Sequence, residues 1–367
     1  MSTIVRTSVR LVDIPVETER SDAIQAFLVQ ETPFVEIHTD DGLVGRGYSY
    51  TIGTGGSAVV ALLTDVLLPR LIGEDARHIE HLWQKLWSST RATTPGTLTA
   101  LALAAVDTAL WDLRGQRNDE PLWVTAGGNR QGTPTYDTEH GWLHLGLEEL
   151  VEGMGAIAAA GWTAGKVKVG KPTLAEDVKR LTAVREVVGE DFTLFIDANQ
   201  GFTRGEALRR SRAYEDLGIA WFEEPLPADD VEGHAMLARQ TSVPIAVGET
   251  LTTIGQAAAY MNSGAASIMQ IDAARVGGIT PWLKVAHAAE AIGVAICPHF
   301  LMELHVSLVA ATPAGVWVEH IPQLRGVTRS EVRIADGLAY APDAPGLGID
   351  WDMERIETMT IGEVRTV

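Results

Sequence analysis

Three acidic residues follow short apolar runs at an even spacing, and together they have the composition of a cation site. Asp197, Glu223 and Glu249 each close such a run, and both intervals are 26 residues (223 − 197 and 249 − 223). An apolar run that ends in a carboxylate is typical of a buried parallel strand, and its repetition with helical sequence between predicts a closed barrel. Barrel strands converge on one face at their C-terminal ends. Three carboxylates meeting there need a hard divalent cation, and Mg²⁺ fits best.

Two lysines lie one predicted strand earlier. Lys166 and Lys168 are separated by one valine, and residues i and i+2 of a strand share a face, so both ammonium groups should point into the barrel mouth. Two lysines forced together beside a cation repel each other, which should lower the pKa of one toward neutrality. A lysine of that kind is a competent general base.

A second acid/base group is predicted on the opposite side of the barrel. Asp272 follows the next apolar run and His299 the one after it; a carboxylate beside a histidine fixes its tautomer and raises its basicity. Glu319 closes the eighth run, and it could donate a hydrogen bond to an oxyanion if burial raises its pKa. A lysine and a histidine facing each other across a cation suit removal of the proton α to a carboxylate, through an enediolate.

The composition narrows the class of partner. A net charge of −19 over 367 residues disfavours nucleic acid or an anionic membrane as partner. A small-molecule carboxylate stays possible, because a bound cation and a few lysines reverse the local sign. Cys297 is the single cysteine, which excludes an internal disulfide and suits a reducing compartment. The first residues lack a signal-peptide core and no window approaches a membrane span, so we expect a cytoplasmic protein.

The elements that must position these groups form two predicted domains and a tail. Residues 1–128 run from strands, with an Asp-Gly hairpin turn within 34–47, to helices, which predicts an α+β domain. Residues 129–325 contain eight strand–helix alternations, which predict a barrel with an irregular last unit. Residues 326–367 are expected to return to the first domain. The predicted barrel strands end near His140, Lys168, Asp197, Glu223, Glu249, Ile271, His299 and Glu319.

The chain resembles the enolase superfamily, in its mandelate racemase subgroup. The matching motifs cover essentially the whole chain and are Lys166-Val-Lys168, Asp197-Ala-Asn199, Glu223-Glu-Pro225, Gly248-Glu249, Asp272 with Arg275-Val-Gly-Gly278, Pro298-His299 and Glu319. The resemblance implies a modified TIM (β/α)7β barrel with an N-terminal α+β capping domain, and a homo-oligomer. It also implies a lysine or histidine base that works with Mg²⁺ on an enediolate.

The resemblance assigns roles to the residues already singled out. It implies Asp197, Glu223 and Glu249 as Mg²⁺ ligands. It implies Lys168 as one acid/base, with its pKa lowered by Lys166, and the Asp272–His299 dyad as the other. Asn199 would contact the substrate hydroxyl or carboxylate, and Glu319 would hydrogen-bond the enediolate.

The loops of the capping domain bear on which reaction follows. Within this subgroup, reprotonation of the enediolate gives racemisation or epimerisation, whereas loss of a β-hydroxyl gives a 2-keto-3-deoxy acid. The loops at residues 17–22 and 138–144 are polar, which favours a polyhydroxylated substrate over an aryl acid. Arg20 could pair with the distal carboxylate of an aldarate, or with Glu17 or Asp22.

The segments Asp272–Gly278 and Pro298–His305 resemble those of diacid-sugar dehydratases. We therefore expect a dehydratase of an aldarate or aldonate. The alternative is a racemase, epimerase or cycloisomerase of similar acids, and the competing class is a non-catalytic sugar-acid-binding barrel. The candidate substrate-binding residues are Asn199, Arg20, His140, Trp142 and Glu303.

Overall fold

In a computed structural model, the N-terminal part of the chain forms a domain that covers the C-terminal face of a β/α barrel. The structure describes residues 2–16, 18, 20–93 and 95–367. The predicted fold class, a (β/α)7β barrel with an α+β capping domain, is confirmed. No helix in the described ranges is long and apolar enough to cross a membrane.

The capping domain is an antiparallel sheet packed against helices. Its strands are β1 (Ile4–Ile14), β2 (Arg20–Ser21), β3 (Ala26–Phe27), β4 (Gln30–Thr39) and β5 (Val44–Tyr48). Its helices are α1 (Gly56–Leu62), α2 (Ile79–Thr90), α3 (Thr97–Asn118) and α4 (Leu122–Thr125). Helix α3 lies close against β5, because Gly47 has no side chain to collide with the Ala105 carbonyl. The short hairpin of β2 and β3 stands apart from the main sheet.

The barrel strands are all parallel and form a closed ring, with the last strand paired to the first. They are β6 (Gly132–Asp137), β7 (Ala164–Lys168), β8 (Thr193–Asp197), β9 (Ile219–Glu223), β10 (Ile245–Val247), β11 (Ile268–Met269), β12 (Ala295–Ile296) and β13 (Val318–His320). The barrel interior contains a separate apolar cluster in which the Phe195 and Trp221 rings stack 3.5 Å apart. This packed floor supports the residues at the strand ends.

Helices surround the barrel on its outer side. They are α5 (Leu147–Ala159), α6 (Leu174–Val188), α7 (Arg204–Tyr214), α8 (Val231–Ala238), α9 (Ile254–Ser263), α10 (Ala273–Val276), α11 (Ile279–Ala291) and α12 (Met302–Ala311). Helix α6 begins with a capping box in which Thr173 and Glu176 satisfy each other's backbone N–H groups. N-terminal caps of this kind fix the short turns between strands and helices, next to which the predicted site residues lie.

The C-terminal residues contact both parts of the protein. Strands β14 (Arg333–Ala335) and β15 (Leu338–Tyr340) form a hairpin, and β15 pairs antiparallel with β6 of the barrel. Helix α13 (Met353–Thr358) leads into β16 (Thr360–Thr366), which pairs antiparallel with β1. The end of the chain therefore lies in the sheet of the capping domain.

The later barrel strands end sooner than predicted. Strands β7, β8 and β9 end at the predicted residues, but β10, β11 and β12 stop two or three residues before Glu249, Asp272 and His299. Gly248 takes a φ of 155°, which leaves strand geometry. Asp272 has become the N-cap of α10. These three predicted site residues therefore lie on turns rather than on strands.

Candidate active site

The three predicted ligand residues come together at the C-terminal face of the barrel. Oxygen atoms of Asp197, Glu223 and Glu249 lie within 4.8 Å of one another. Asp197 and Glu223 are fully buried paired residues of β8 and β9. Oε2 of Glu249 is also buried and has no hydrogen-bond donor among the described residues. Three converging carboxylates with an unpartnered oxygen fit a divalent cation.

These three carboxylates carry like charges, which repel one another. Burial, together with the Asp197 carboxylate, raises the pKa of Glu223 to about 8. A positive charge is needed to hold all three as anions. Two lysines supply part of it in this structure.

Lys168 lies beside the first of the three acids. Its Nζ is 2.5 Å from Asp197 Oδ2 and donates to Asn199 Oδ1 at 2.9 Å. Burial and the Lys166 ammonium lower the pKa of Lys168, but the Asp197, Glu249 and Glu223 carboxylates together outweigh them and raise it overall. Lys166 thus acts on Lys168 in the predicted direction, and the fall in the Lys168 pKa expected beside a bound cation stays a prediction.

Lys166 lies deeper in the barrel and joins two acids. Its Nζ is 3.0 Å from Glu223 Oε2 and 2.7 Å from Glu319 Oε1. Glu319 also accepts hydrogen bonds from the Phe300 N–H and the Thr138 hydroxyl. Burial raises the pKa of Glu319, but Lys166, His299 and the Phe300 N–H together outweigh it and lower the pKa overall. The condition set for Glu319 as a donor, a pKa raised by burial, is therefore not met in this arrangement, where its carboxylate is an acceptor.

His299 lies on the other side of the carboxylates. Its Nδ1 is 3.1 Å from Asp272 Oδ2, and its Nε2 is 3.6 Å from Glu249 Oε2. Asp272 is held in turn by the Ala274 N–H, which donates to Oδ1 at 2.7 Å. The structure brings the predicted Asp272–His299 pair together, with Nε2 directed toward the carboxylate cluster.

Lys168 and His299 line one closed cavity of about 20 Å³. That space holds about one water molecule, and its upper wall is the β2–β3 hairpin, with Asp22, Gln25 and Phe27. A molecule larger than water therefore fits only if part of this wall moves. Trp142 and Asn199 are also in the wall, as predicted substrate contacts should be. The Trp142 ring lies 5.1 Å from Lys168 Nζ.

Three predicted substrate contacts lie elsewhere. Arg20 is 2.7 Å from Glu139 rather than beside Asp22, and Glu17 is outside the described residues. His140 Nδ1 is 2.8 Å from Asp137 Oδ1, and with Arg20 it lines a separate outer cavity of about 810 Å³.

Glu303 is the third predicted substrate contact that lies away from this cavity. It is nine-tenths buried, and its Oε1 accepts from the backbone N–H groups of Gln323 and Leu324. It does not line the cavity shared by Lys168 and His299. Each of these three polar side chains has an intramolecular partner that sequence spacing cannot show, and their contacts with a substrate stay predictions.

Other residues of the site were not predicted as such. Tyr50 donates to Asp272 Oδ2 at 2.6 Å from a position 222 residues away in the chain. Arg275 and Ile52 line the cavity together with the hairpin residues. Arg275 was noted only as part of a motif, and contacts between the two domains leave no local signal in the sequence.

Comparisons with known proteins match both domains. The model for the mandelate racemase/muconate lactonizing enzyme N-terminal domain matches residues 2–127, and one described as enolase C-terminal domain-like matches residues 149–355. The chain is 38% identical to L-talarate/galactarate dehydratase of Salmonella typhimurium over 314 residues, which is 85% of this chain and 78% of the relative. It is 35% identical to 3,6-anhydro-alpha-L-galactonate cycloisomerase of Streptomyces coelicolor over 359 residues, which is 97% of this chain and 99% of the relative.

A solved structure agrees with these matches. The crystal structure of L-talarate dehydratase from Polaromonas sp., complexed with Mg and L-glucarate, is similar to this chain with a TM-score of 0.93 and 37% identity. The match covers 100% of this chain and 99% of the other.

Proposed function

Because the chain belongs to the mandelate racemase/muconate lactonizing enzyme family, we propose that it dehydrates a sugar acid to a 2-keto-3-deoxy acid with the help of Mg²⁺. One observation carries the proposal. Lys168 and His299 line the same cavity and flank the carboxylate cluster, one against Asp197 and the other against Glu249. Binding alone does not need a base on both faces of a ligand.

The three carboxylates are the residues that would hold the ion. Their hard oxygen atoms, converging within 4.8 Å, suit Mg²⁺ better than a soft metal. When bound, Mg²⁺ supplies positive charge that neutralises a substrate carboxylate and makes its α-proton more acidic.

The two acid/base groups divide the work of dehydration. One takes the α-proton, and the electron pair that it leaves forms the enediolate. The other gives a proton to the β-hydroxyl, which departs as water as the electrons form the double bond of an enol. That enol becomes the 2-keto acid. Asp272 holds Nδ1 of His299, so that Nε2 faces the carboxylate cluster at which the substrate would bind.

The cavity wall supports a polyhydroxylated substrate. Asp22, Gln25, Asn199 and Arg275 present donors and acceptors to it. A polar wall of this kind suits hydroxyl groups better than an aryl ring. Relatives named as dehydratases of talarate, galactarate and arabinonate act on acids of the same class.

A second candidate is cycloisomerisation of an anhydro sugar acid. It is favoured by the similarity to the Streptomyces coelicolor cycloisomerase, which spans nearly the full length of both chains. The proton abstraction is the same, but the β-oxygen that leaves belongs to the anhydro ring. It therefore stays attached, and the product is an isomer of the substrate.

The test is mass spectrometry on pools of aldonates, aldarates, anhydro-galactonate and aryl 2-hydroxy acids, each incubated with the protein and Mg²⁺ in heavy water. Loss of one water from a sugar acid supports the proposal, and isomerisation of the anhydro acid supports the second candidate. Deuterium gain at the α-carbon alone indicates a racemase or epimerase. No change in any pool, with Mg²⁺ bound and Lys168→Ala indistinguishable from the wild type, overturns both candidates.

The assembly and the location of the protein are also proposals. We expect a symmetric homo-oligomer in the cytoplasm, because the subgroup that the sequence resembles forms such assemblies. Light scattering after size-exclusion chromatography tests the assembly. A single monomeric mass at micromolar concentration contradicts it.

A further inference from the structure

The hydroxyl of Tyr50 joins the capping domain to the predicted acid/base dyad. Tyr50 follows β5, and its Oη donates to Asp272 Oδ2 at 2.6 Å. The same Oδ2 is 3.1 Å from Nδ1 of His299. Nε of Arg275 donates to the Tyr50 oxygen at 3.2 Å. The four groups form one chain of contacts from Arg275 to His299.

The carboxylate in the middle of this chain is fixed at both oxygens. Oδ1 of Asp272 accepts from the backbone N–H of Ala274 at 2.7 Å, at the start of α10. Oδ2 is shared by Tyr50 and His299. A carboxylate with one oxygen on backbone and the other on two side chains has little freedom to rotate. Its direction toward His299 therefore depends on the tyrosine.

Tyr50 also supports the imidazole from a second direction. Its ring centroid is 4.5 Å from that of Phe300, and the Phe300 ring stacks on His299 at 5.3 Å with an angle of 15°. Phe300 and Leu301 have φ angles of 60° and 35°, a strained backbone that must be held by its surroundings. Tyr50 is 1% exposed and does not line the cavity, so it acts on His299 through its neighbours.

We propose that Tyr50 is a positioning residue that sets the orientation of His299 through Asp272 and Phe300. Docking of the capping domain and alignment of the acid/base histidine are then one event, because the hydroxyl reaches Asp272 only when the domain is in place. A site left open would have a poorly aligned His299. The inference rests on the proposed function only for its catalytic consequence.

The chain offers a matched control. Tyr48 lies two residues earlier, is equally buried, and has a hydroxyl without a partner in the part of the chain that the structure describes. Tyr50→Phe and Tyr48→Phe thus remove the same atom from neighbouring buried positions. Only the first removes a contact with the dyad.

The first measurement needs no substrate. Proton–nitrogen NMR of the histidine rings is recorded on the full-length protein with MgCl₂, with the His299 signal assigned from His299→Asn. In Tyr50→Phe we expect the Nδ1 proton of His299 to move and to exchange with water about tenfold faster or more, the scale of a lost hydrogen bond to a charged group. Tyr48→Phe should leave the signal unchanged. An unchanged signal in Tyr50→Phe overturns the inference, whatever becomes of the proposed function.

The second measurement tests the catalytic consequence. The α-proton exchange that survives in Lys168→Ala depends on His299, and the exchange that survives in His299→Asn depends on Lys168. Tyr50→Phe should slow the first by about tenfold to a hundredfold and leave the second within about twofold. Equal slowing of both contradicts a positioning role. No exchange by the wild type with any sugar acid overturns the proposed function and leaves the NMR result to decide the inference.

Thermal unfolding of both tyrosine variants shows whether they are folded. If Tyr50→Phe is not, Arg275→Gln carries the NMR measurement alone, because it removes the charged donor on the far side of the Tyr50 hydroxyl. It should then move the His299 signal. A His299 signal that stays in place overturns the inference.

Discussion

Lys168 and Asp197 are paired residues on adjacent parallel strands, and the lysine Nζ lies 2.5 Å from Asp197 Oδ2. Asp197 is paired in turn with Glu223 on the next strand. The register of the barrel thus sets one predicted acid/base group and two candidate ligands in a single row. A substrate carboxylate bound at that row would lie next to the lysine, as the proposed removal of an α-proton requires.

Binding of Mg²⁺ should stabilise the protein, because the ion neutralises buried carboxylates that the unfolded chain leaves in water. At a concentration a hundredfold above its dissociation constant the gain is about 2.7 kcal/mol. We expect the melting temperature to rise with MgCl₂ in the wild type and to stay constant in Glu249→Gln. The matched control is Glu232→Gln on α8, where the side chain is 89% exposed. An equal rise in all three proteins places the ion elsewhere.

Replacing Lys166 should lower the free energy of unfolding of the metal-free protein. Its Nζ is 3.0 Å from Glu223 and 2.7 Å from Glu319 inside the barrel. Lys166→Met leaves two buried carboxylates without their ammonium, which typically costs roughly 3–5 kcal/mol. Urea unfolding in EDTA measures the loss. The double variant Lys166→Met/Glu319→Gln should recover part of it, and a double variant that is less stable than the single one speaks against this pairing.

Much of the site was predictable because its information is local. Asp197 and Glu223 each end an apolar run and Lys168 ends an alternating Lys-Val-Lys segment, and the structure puts each at the end of its strand. The alternation of strands and helices was sufficient to place these ends on one face of a barrel. The pKa of Lys168 beside the carboxylates alone was not predictable, since its direction depends on the distance to each neighbouring charge.

Contacts between distant parts of the chain could not be predicted. Arg20 and Glu139 are 119 residues apart, and Tyr50 and Asp272 are 222 residues apart. No period or motif relates such pairs. They depend on how the capping domain docks on the barrel, which is a property of the whole fold.

A buried acid in the capping domain should make stability depend on pH. Asp107 of α3 is 1% exposed and accepts from the Thr280 N–H and hydroxyl. Burial raises its pKa from 3.8 to about 7, so the folded protein holds this proton more tightly than the unfolded chain. The free energy of unfolding should therefore fall as the pH rises from 3.8 to about 7, because the folded protein must give up this proton over that range.

The variant Asp107→Asn keeps the shape of the side chain and removes the titration. Urea unfolding at pH 5 and pH 8 should show a wild-type protein that loses more stability between these values than the variant does, by on the order of a few kcal/mol. Asp216→Asn, at an exposed position, is the control and should follow the wild type. Parallel pH profiles for all three proteins contradict the assignment.

The ion pair of Arg20 with Glu139 should act as a latch, which means that it holds the β2–β3 hairpin closed over the predicted active site. The Arg20 guanidinium lies 2.7 Å from Glu139 at the barrel, and the two side chains are only 8% and 14% exposed. Since the cavity beneath holds about 20 Å³, the hairpin must open for a substrate and close again. Arg20→Ala should therefore speed amide hydrogen exchange in residues 20–27 and raise KM by about tenfold, the scale of a partly buried ion pair.

The same variant separates a latch from the distal-carboxylate contact predicted for Arg20. A latch affects aldarates and aldonates equally, because it acts before either is recognised. A contact with the second carboxylate penalises aldarates alone. Glu139→Gln should reproduce the effect of Arg20→Ala, while Arg329→Ala, which breaks an exposed pair with Asp350, should have none. A KM that rises only for aldarates, with hydrogen exchange of the hairpin unchanged, shows that Arg20 contacts the substrate instead.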